Sequence, residues 1–244
     1  MPEKHSPRQN RLLAALSPAV QQRLFPHLEP VTLPRGQVLY EPGAALRHVY
    51  FPIGTIVSLL HVLENGASAD IALVGNDGLI GVALFLGGES TPSRAIVQSA
   101  GAAYRLPGAR LKAEFERHGE LLLLLLRYTQ SLITQMAQTA VCNRHHSIDQ
   151  QLCRWLLLSL DRLPGNELSM TQELMASMLG VRREGVTEAA GKLQRQHVIE
   201  YARGRIKVLD RAALESLSCE CYAAVRRETD RLLPYLSDPQ PSPA

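Results

Sequence analysis

Residues 171–196, TQELMASMLGVRREGVTEAAGKLQRQ, restrict the fold of this chain more than any other segment. Two helices joined by a sharp turn need a small residue where they cross, a glycine at the turn and apolar residues pinning the second helix. Ala176 suits the crossing, Gly180 follows four residues later, and Val186 lies six beyond that. Leu174, Met175, Leu179, Val181 and Leu193 supply packing. The spacing predicts a helix-turn-helix. Its second helix presents Arg183, Glu184, Thr187 and Glu188 on the first two turns, the part of such a helix that enters a major groove. Arginine can bond a guanine edge in bidentate fashion, and glutamate can accept from a cytosine amino group. Thr171 and Gln172 at the head of the first helix, with Arg182 and Lys192 on the second, complete the candidate contacts to double-stranded DNA.

An amphipathic helix pair that binds nothing would share this core pattern, so the residues behind it decide. Residues 197–210, HVIEYARGRIKVLD, hold two β-rich runs around an Arg203-Gly204-Arg205 tip, the pattern of a hairpin wing whose arginines reach phosphate. From Met170 to Arg211 there are eight Lys or Arg against five Asp or Glu, although the whole chain carries a formal charge of only +3. The basic excess therefore sits where a nucleic-acid contact needs it. Aromatic residues make up 5% of the chain, with a single Trp155, which argues against stacking on single-stranded nucleic acid.

Upstream the periodicity changes twice. Leu12, Leu13, Leu16, Val20, Leu24 and Phe25 recur at helical spacing until Pro26 and Pro30 interrupt them. From Val31 to Leu106 come short apolar runs: Val38–Tyr40, Val49–Phe51, Ile56–Leu60, Ile71–Val74 and Ile96-Val97. Gly, Pro and Asn-Asp steps separate them, and Asn65-Gly66 is a strong hairpin signal because a type I′ turn needs positive φ at both central residues. Many short strands at this spacing predict an antiparallel β-roll. At about Leu111 a helical period returns and runs to about Asn143. A helix that long spans roughly 45 Å, more than a small domain covers. Its stripe of Leu122, Leu125, Thr129, Leu132 and Met136 is the expected seam of a homodimer, with a core helix inside one domain as the other reading. A further helix is expected from Ile148 to Leu163, stopped by Pro164-Gly165-Asn166, and a disordered tail from Ser237.

The fold class expected is thus α+β: an N-terminal antiparallel, jelly-roll-like β-roll, a long dimerisation helix and a C-terminal winged helix-turn-helix. The expected divisions are 1–108 for the roll with its N-terminal helix, 109–145 for the long helix, 146–218 for the DNA-binding domain and 219–244 for a C-terminal helix and tail. The first residues carry charges with no apolar stretch behind them, and the longest apolar run is Leu121–Leu126, so no secretory signal or membrane span is expected. With four cysteines and no disulfide framework, the expectation is a cytoplasmic protein with reduced thiols.

This order of elements resembles the Crp/Fnr family of transcription regulators. The strongest local likeness is Leu179-Gly-Val-Arg-Arg-Glu-Gly-Val186, similar to the family's L-G-x-S-R-E-T-V recognition signature. Gly36, Gly43, Val49-Tyr50-Phe51 and Gly54 resemble the opening of its cyclic-nucleotide-binding roll, and Gly78-Leu-Ile-Gly81 its G-x-I-G-E. The resemblance covers roughly residues 10–215. It implies a two-fold dimer on inverted-repeat promoter DNA, RNA polymerase as a further partner, and a signal entering through the roll. Three departures stand out. Arg182 replaces a serine that would cap the recognition helix, and a lost cap costs about 1 kcal/mol. Gly185 replaces threonine, at a similar cost inside a helix. Glu188 stands where many members carry a second base-reading arginine.

The resemblance also frames the sensor chemistry. Cyclic-AMP-binding members hold the ribose with a Glu just after G-x-I-G and the cyclic phosphate with a later Arg-Ser pair. Here Val82 and Ala83 follow Gly81, and the later pair reads Ser93-Arg94. A one-residue shift along a strand turns a side chain to the opposite face. The candidate effector pocket of Val82, Ala83, Ser93, Arg94 and Met136 is therefore expected to be apolar or vestigial, with no cofactor and an unknown effector. No cysteine precedes Cys142, which excludes the family's N-terminal iron–sulfur site, and His48 and His61 are lone histidines in the β region, weak candidates for haem. Cys142 with His145 and His146, or Cys219 with Cys221, lack a complete ligand spacing in sequence, so no metal site is expected. The competing class is a cupin-like β-roll enzyme or metal-binding protein whose C-terminal domain does not bind DNA. His61 and Glu64 lack the partner histidine such a site needs, and no nucleophile triad, P-loop or G-x-G-x-x-G is present.

Overall fold

The first apolar stripe forms two short helices. In α1 (Arg11–Ala14) the Asn10 side chain caps the Leu13 N–H, and α2 (Pro18–Leu24) starts on a proline whose missing N–H costs nothing there. The computed structural model describes residues 5–234. Seven antiparallel strands follow: β1 (Glu29–Leu33), β2 (Val38–Tyr40), β3 (His48–Pro52), β4 (Ile56–Val62), β5 (Ser68–Val74), β6 (Arg94–Ser99) and β7 (Gly101–Pro107). They form two sheets, ordered β1-β7-β3 and β2-β6-β4-β5. Their inward faces (Val49, Phe51, Leu59, Ala72, Val74, Ala95, Val97 and Leu106) build the core of the roll with the leucines of α1 and α2. The β4–β5 hairpin forms as expected, with a different turn. Only Gly66 has positive φ, and Leu63 N–H bonds Ala67 O at 2.8 Å, closing a three-residue loop.

The helical stretch after the roll is two helices. α3 (Gly108–Phe115) ends before residues 116–119, where His118 takes φ 56°, and α4 (Glu120–His145) starts afresh. Sequence periodicity bridged this break because Leu111 and Leu121 both belong to the roll core.

The dimer seam read from sequence needs correction. Leu125 and Leu132 are 1% and 6% exposed and sit in the chain's own core, with Leu121, Leu124 and Tyr128. Leu122, Thr129 and Met136 are only half-buried beside them. The row left open is offset by one residue. Leu123, Leu126, Gln130, Ile133, Ala137, Ala140 and Arg144 are all exposed, at alternating spacings of three and four. Six leucines run consecutively from Leu121 to Leu126, so every face of that turn is apolar and periodicity cannot tell which one meets the roll.

α5 (Ile148–Leu160) opens with a reciprocal cap between Ser147 and Gln150 and ends three residues earlier than expected, at Leu160 rather than Leu163. Next come β8 (Glu167–Ser169), α6 (Gln172–Leu179), α7 (Arg183–Arg195), β9 (Ile199–Ala202), β10 (Arg205–Val208), α8 (Arg211–Leu217) and α9 (Glu220–Leu232). The last three strands form a small sheet ordered β8-β10-β9. α9 folds back on α4, where the Ser131 and Thr229 hydroxyls meet at 2.8 Å. The expected tail from Ser237 lies outside the described residues.

The two halves share a core. Ile56 and Leu73 of the roll pack into the cluster built by α5, α6 and α7, beside Trp155, Met178 and Leu179. Arg162 pairs with Asp77 at 3.0 Å, and Gln135 donates to Leu73 O at 3.1 Å. Among the described residues no helix is long and apolar enough to cross a membrane.

Candidate nucleic-acid interface

Thr171 caps α6 by accepting from the Leu174 N–H at 3.3 Å. Gly180 ends that helix at φ 66°, the left-handed conformation that lets the chain reverse into α7 within two residues. Val186, Ala189, Ala190 and Leu193 form the buried face of α7 and hold it against α5 and α6. With that face fixed, Arg182, Arg183, Glu184, Thr187 and Glu188 stand exposed on its first two turns.

Arg182 is the N-cap of α7 and makes no side-chain cap hydrogen bond; the Gly185 N–H bonds Arg182 O at 3.1 Å, and no side chain caps the Arg183 and Glu184 N–H groups. Gly185 has a packing reason that sequence reading missed. A Cβ there would lie 2.7 Å from Ile148 Cδ1, so the glycine lets α7 approach the start of α5.

Neighbouring groups set the poise of the polar residues. Thr187 donates to Gln172 Oε1 at 2.8 Å, tying the head of α6 to the recognition helix. Arg183 is largely exposed, with Glu173 3.9 Å away. Lys192 is committed within the chain, to Asp149 at 3.1 Å and Glu188 at 3.2 Å, and those carboxylates raise its pKa. Such exposed pairs are weak and exchange readily for a phosphate.

The wing joins the same surface. Arg203 and Gly204 both take positive φ, 50° and 75°, at the tip between β9 and β10. The Met170 N–H bonds Gly204 O at 2.7 Å, and Gly204 lies against Thr171. Wing tip, α6 N-terminus and α7 thus form one continuous face carrying Arg203, Arg205, Thr171, Gln172, Thr187 and Arg183.

The candidate effector residues are differently placed. Val82, Ala83 and Met136 pack against the apolar core of the roll. Ser93 is buried, but Arg94 turns away from the core, where Ala95 sits fully buried, and its Nε pairs with Glu41 at 2.7 Å. Tyr128 fills the space between roll and α4. Its hydroxyl donates to Leu79 O at 2.9 Å, and burial pushes its pKa above the usual range.

His61 and Glu64 lie exposed at the end of the β4–β5 hairpin, which gives the cupin-like alternative no support. No metal site was expected, yet four potential ligand side chains converge at the end of α4. Cys142, His146, Cys219 and Cys221 offer ligand atoms that all lie within 4.8 Å of one another, whereas His145 is not among them. Their halves are far apart in sequence, so local spacing could not reveal them.

Comparison with known proteins points the same way. A family model described as a Crp-like helix-turn-helix domain matches residues 150–217, and one described as a cyclic nucleotide-binding domain matches residues 30–118. A global nitrogen regulator of Synechocystis sp. is 24% identical over 215 residues, covering 84% of this chain and 95% of that protein. The solved structure of a CRP/FNR-family transcriptional regulator of Thermus thermophilus matches with TM-score 0.60 and 25% identity, over 78% of this chain and 98% of that one. FixK2 of Bradyrhizobium japonicum matches in fold with TM-score 0.66 at 15% identity, over 79% and 98%.

Proposed function

The chain belongs to the Crp/Fnr family of DNA-binding transcription regulators, and from that premise we propose that it acts as a two-fold dimer on inverted-repeat promoter sites. The observation that carries this is the continuous face formed by the start of α7, the head of α6 and the wing tip. Arg183 and Glu184 read base edges, while Arg182, Thr171, Gln172 and the wing arginines Arg203 and Arg205 hold phosphates. The Arg183 and Glu184 N–H groups at the start of α7, which no side chain caps, add a local preference for phosphate. Lys192 contributes only after leaving Asp149. Acting on promoter DNA, the dimer works in the cytoplasm, within reach of RNA polymerase.

Signal input through the roll does not use cyclic AMP in the family's usual way. Val82 can neither accept nor donate a hydrogen bond, Arg94 is engaged by Glu41, and the nearby side chains pack as core. The route from roll to reading head is the β4–β5 hairpin. The Ser68 and Ser177 hydroxyls meet at 3.3 Å, and Ala69 lies against Gly180, the turn glycine itself.

Selection of bound sites from random duplex DNA with the purified protein tests the reading. The expected product is an inverted repeat with half-sites about one helical turn apart, bound with a steep salt dependence. Recovery of unrelated sequences with a flat salt response would overturn it. In parallel, calorimetric titration with cyclic AMP should show no saturable micromolar isotherm.

A further inference from the structure

Cys142 lies in the last turn of α4, His146 is the residue on which α4 ends, Cys219 precedes α9 and Cys221 sits in its first turn. The fold closes a loop of more than seventy residues to bring these positions together. All three cysteines are free and at most 5% exposed, and they form a small cluster separate from the two main cores. A packing role would be met by ordinary apolar side chains, yet here three thiols and an imidazole converge.

The distances fit one ion. The Cys142 and Cys219 sulfurs are 3.5 Å apart, and the Cys221 sulfur is 3.6 Å from His146 Nδ1. A tetrahedral zinc with Zn–S of about 2.3 Å and Zn–N of about 2.0 Å separates its ligands by roughly 3.5–3.8 Å. Ligand atoms all within 4.8 Å of one another enclose a single ion and leave no room for a multi-iron cluster.

The surroundings supply what a zinc–thiolate centre needs. The other ring nitrogen of His146, Nε2, faces Glu220 Oε2 at 3.3 Å, the carboxylate–histidine arrangement that fixes the tautomer and strengthens the ligand. Three thiolates around Zn²⁺ leave one negative charge. The buried Arg154 guanidinium acts electrostatically on Cys142 and Cys221, and its Nε has no hydrogen-bond partner among the described residues.

We propose that Cys142, His146, Cys219 and Cys221 bind one Zn²⁺ ion that staples the start of α9 to the joint between α4 and α5. On binding, the thiols release their protons to solvent and His146 coordinates through Nδ1. The joint at His146-Ser147 is where the helix carrying the open apolar row meets the DNA-binding half. Zinc occupancy therefore sets how freely that half swings.

The test uses tag-free, full-length protein purified under reducing conditions. Metal analysis is expected to find about one zinc per chain. After zinc is stripped with a chelator, Co²⁺ should bind saturably, with the strong visible bands and thiolate charge-transfer absorption of a tetrahedral site. Cys219→Ser and Cys221→Ser should each abolish or sharply weaken that spectrum. Glu220→Gln lies outside the ligand set and should keep the bands while weakening affinity about 10- to 100-fold. Wild-type protein that holds no zinc and gives no tetrahedral Co²⁺ spectrum would overturn the proposal, whatever the variants do. So would a Cys142–Cys219 disulfide that persists under reduction, or a Co²⁺ spectrum unchanged in both serine variants.

Discussion

Arg183 and Arg203 carry the same charge and should fail differently. Arg183→Ala should weaken the selected operator by roughly 1–3 kcal/mol and relax one base position, leaving random DNA nearly unaffected. Arg203→Ala should weaken both about equally and flatten the salt slope, as loss of a phosphate contact does. Binding isotherms on both DNAs at several salt concentrations check this, and equal losses for Arg183→Ala would refute its base-reading role. Asp70 gives a residue-scale prediction for stability. It is 6% exposed and accepts from the Ser58 hydroxyl at 2.9 Å. Burial pushes its pKa up to about 8, and the hydrogen bond from Ser58, with the Trp155 side chain and the charge of Arg154, offsets this only in part. The folded carboxyl thus holds its proton across a window in which the unfolded one has lost it. Stability falls as pH rises through that window, from the ordinary carboxylate range to about 8. Asp70→Asn cannot ionise, so its thermal midpoint should drop less than that of the wild type between about pH 5 and about pH 8.5. An unchanged difference would show that Asp70 ionises freely in the folded chain.

The faces of α4 make opposite predictions at the scale of the element. Leu126→Glu with Ile133→Glu places charge on the open row and should give a folded monomer by light scattering. Leu125→Ala empties a position in the chain's own core and should lower unfolding free energy by roughly 2–5 kcal/mol without dissociating the proposed dimer. The same helix shows where sequence reading stops. The helix-turn-helix was legible because its determinants are local: Ala176, Gly180 and Val186 act within a dozen residues. The face of α4 was not, because its burial is set by a roll assembled from residues far upstream. β1 and β7 were illegible for other reasons. β1 carries Pro30 and lies at the edge of its sheet, where a missing N–H is tolerated. β7 begins Gly-Ala-Ala, and its glycine is set by the closeness of Gly101 to the Gly54 carbonyl rather than by strand preference. The cysteine cluster is the extreme case, since only the return of α9 onto α4 brings its halves together.

At the scale of the whole molecule, Arg162 is the buried ionic tie between roll and DNA-binding half. Its side chain is 7% exposed, pairs with Asp77, donates to Leu158 O at 2.7 Å and reaches Gln135 at 3.2 Å. Arg162→Ala strands the Asp77 carboxylate and should lower stability by roughly 3–5 kcal/mol in chemical denaturation. A loss below about 1 kcal/mol would mean that the halves do not depend on this pair. The shared apolar core has a different kind of consequence. Ile56 and Leu73 belong to the roll by sequence but pack with Trp155, Met178 and Leu179. Any movement that parts the halves must wet these carbons, and wetting apolar carbon raises heat capacity. The balance between docked and parted arrangements is then curved in temperature, with the docked one losing apolar support on cooling. The apolar contact between the two halves is thus the part of this regulator whose strength changes most with temperature.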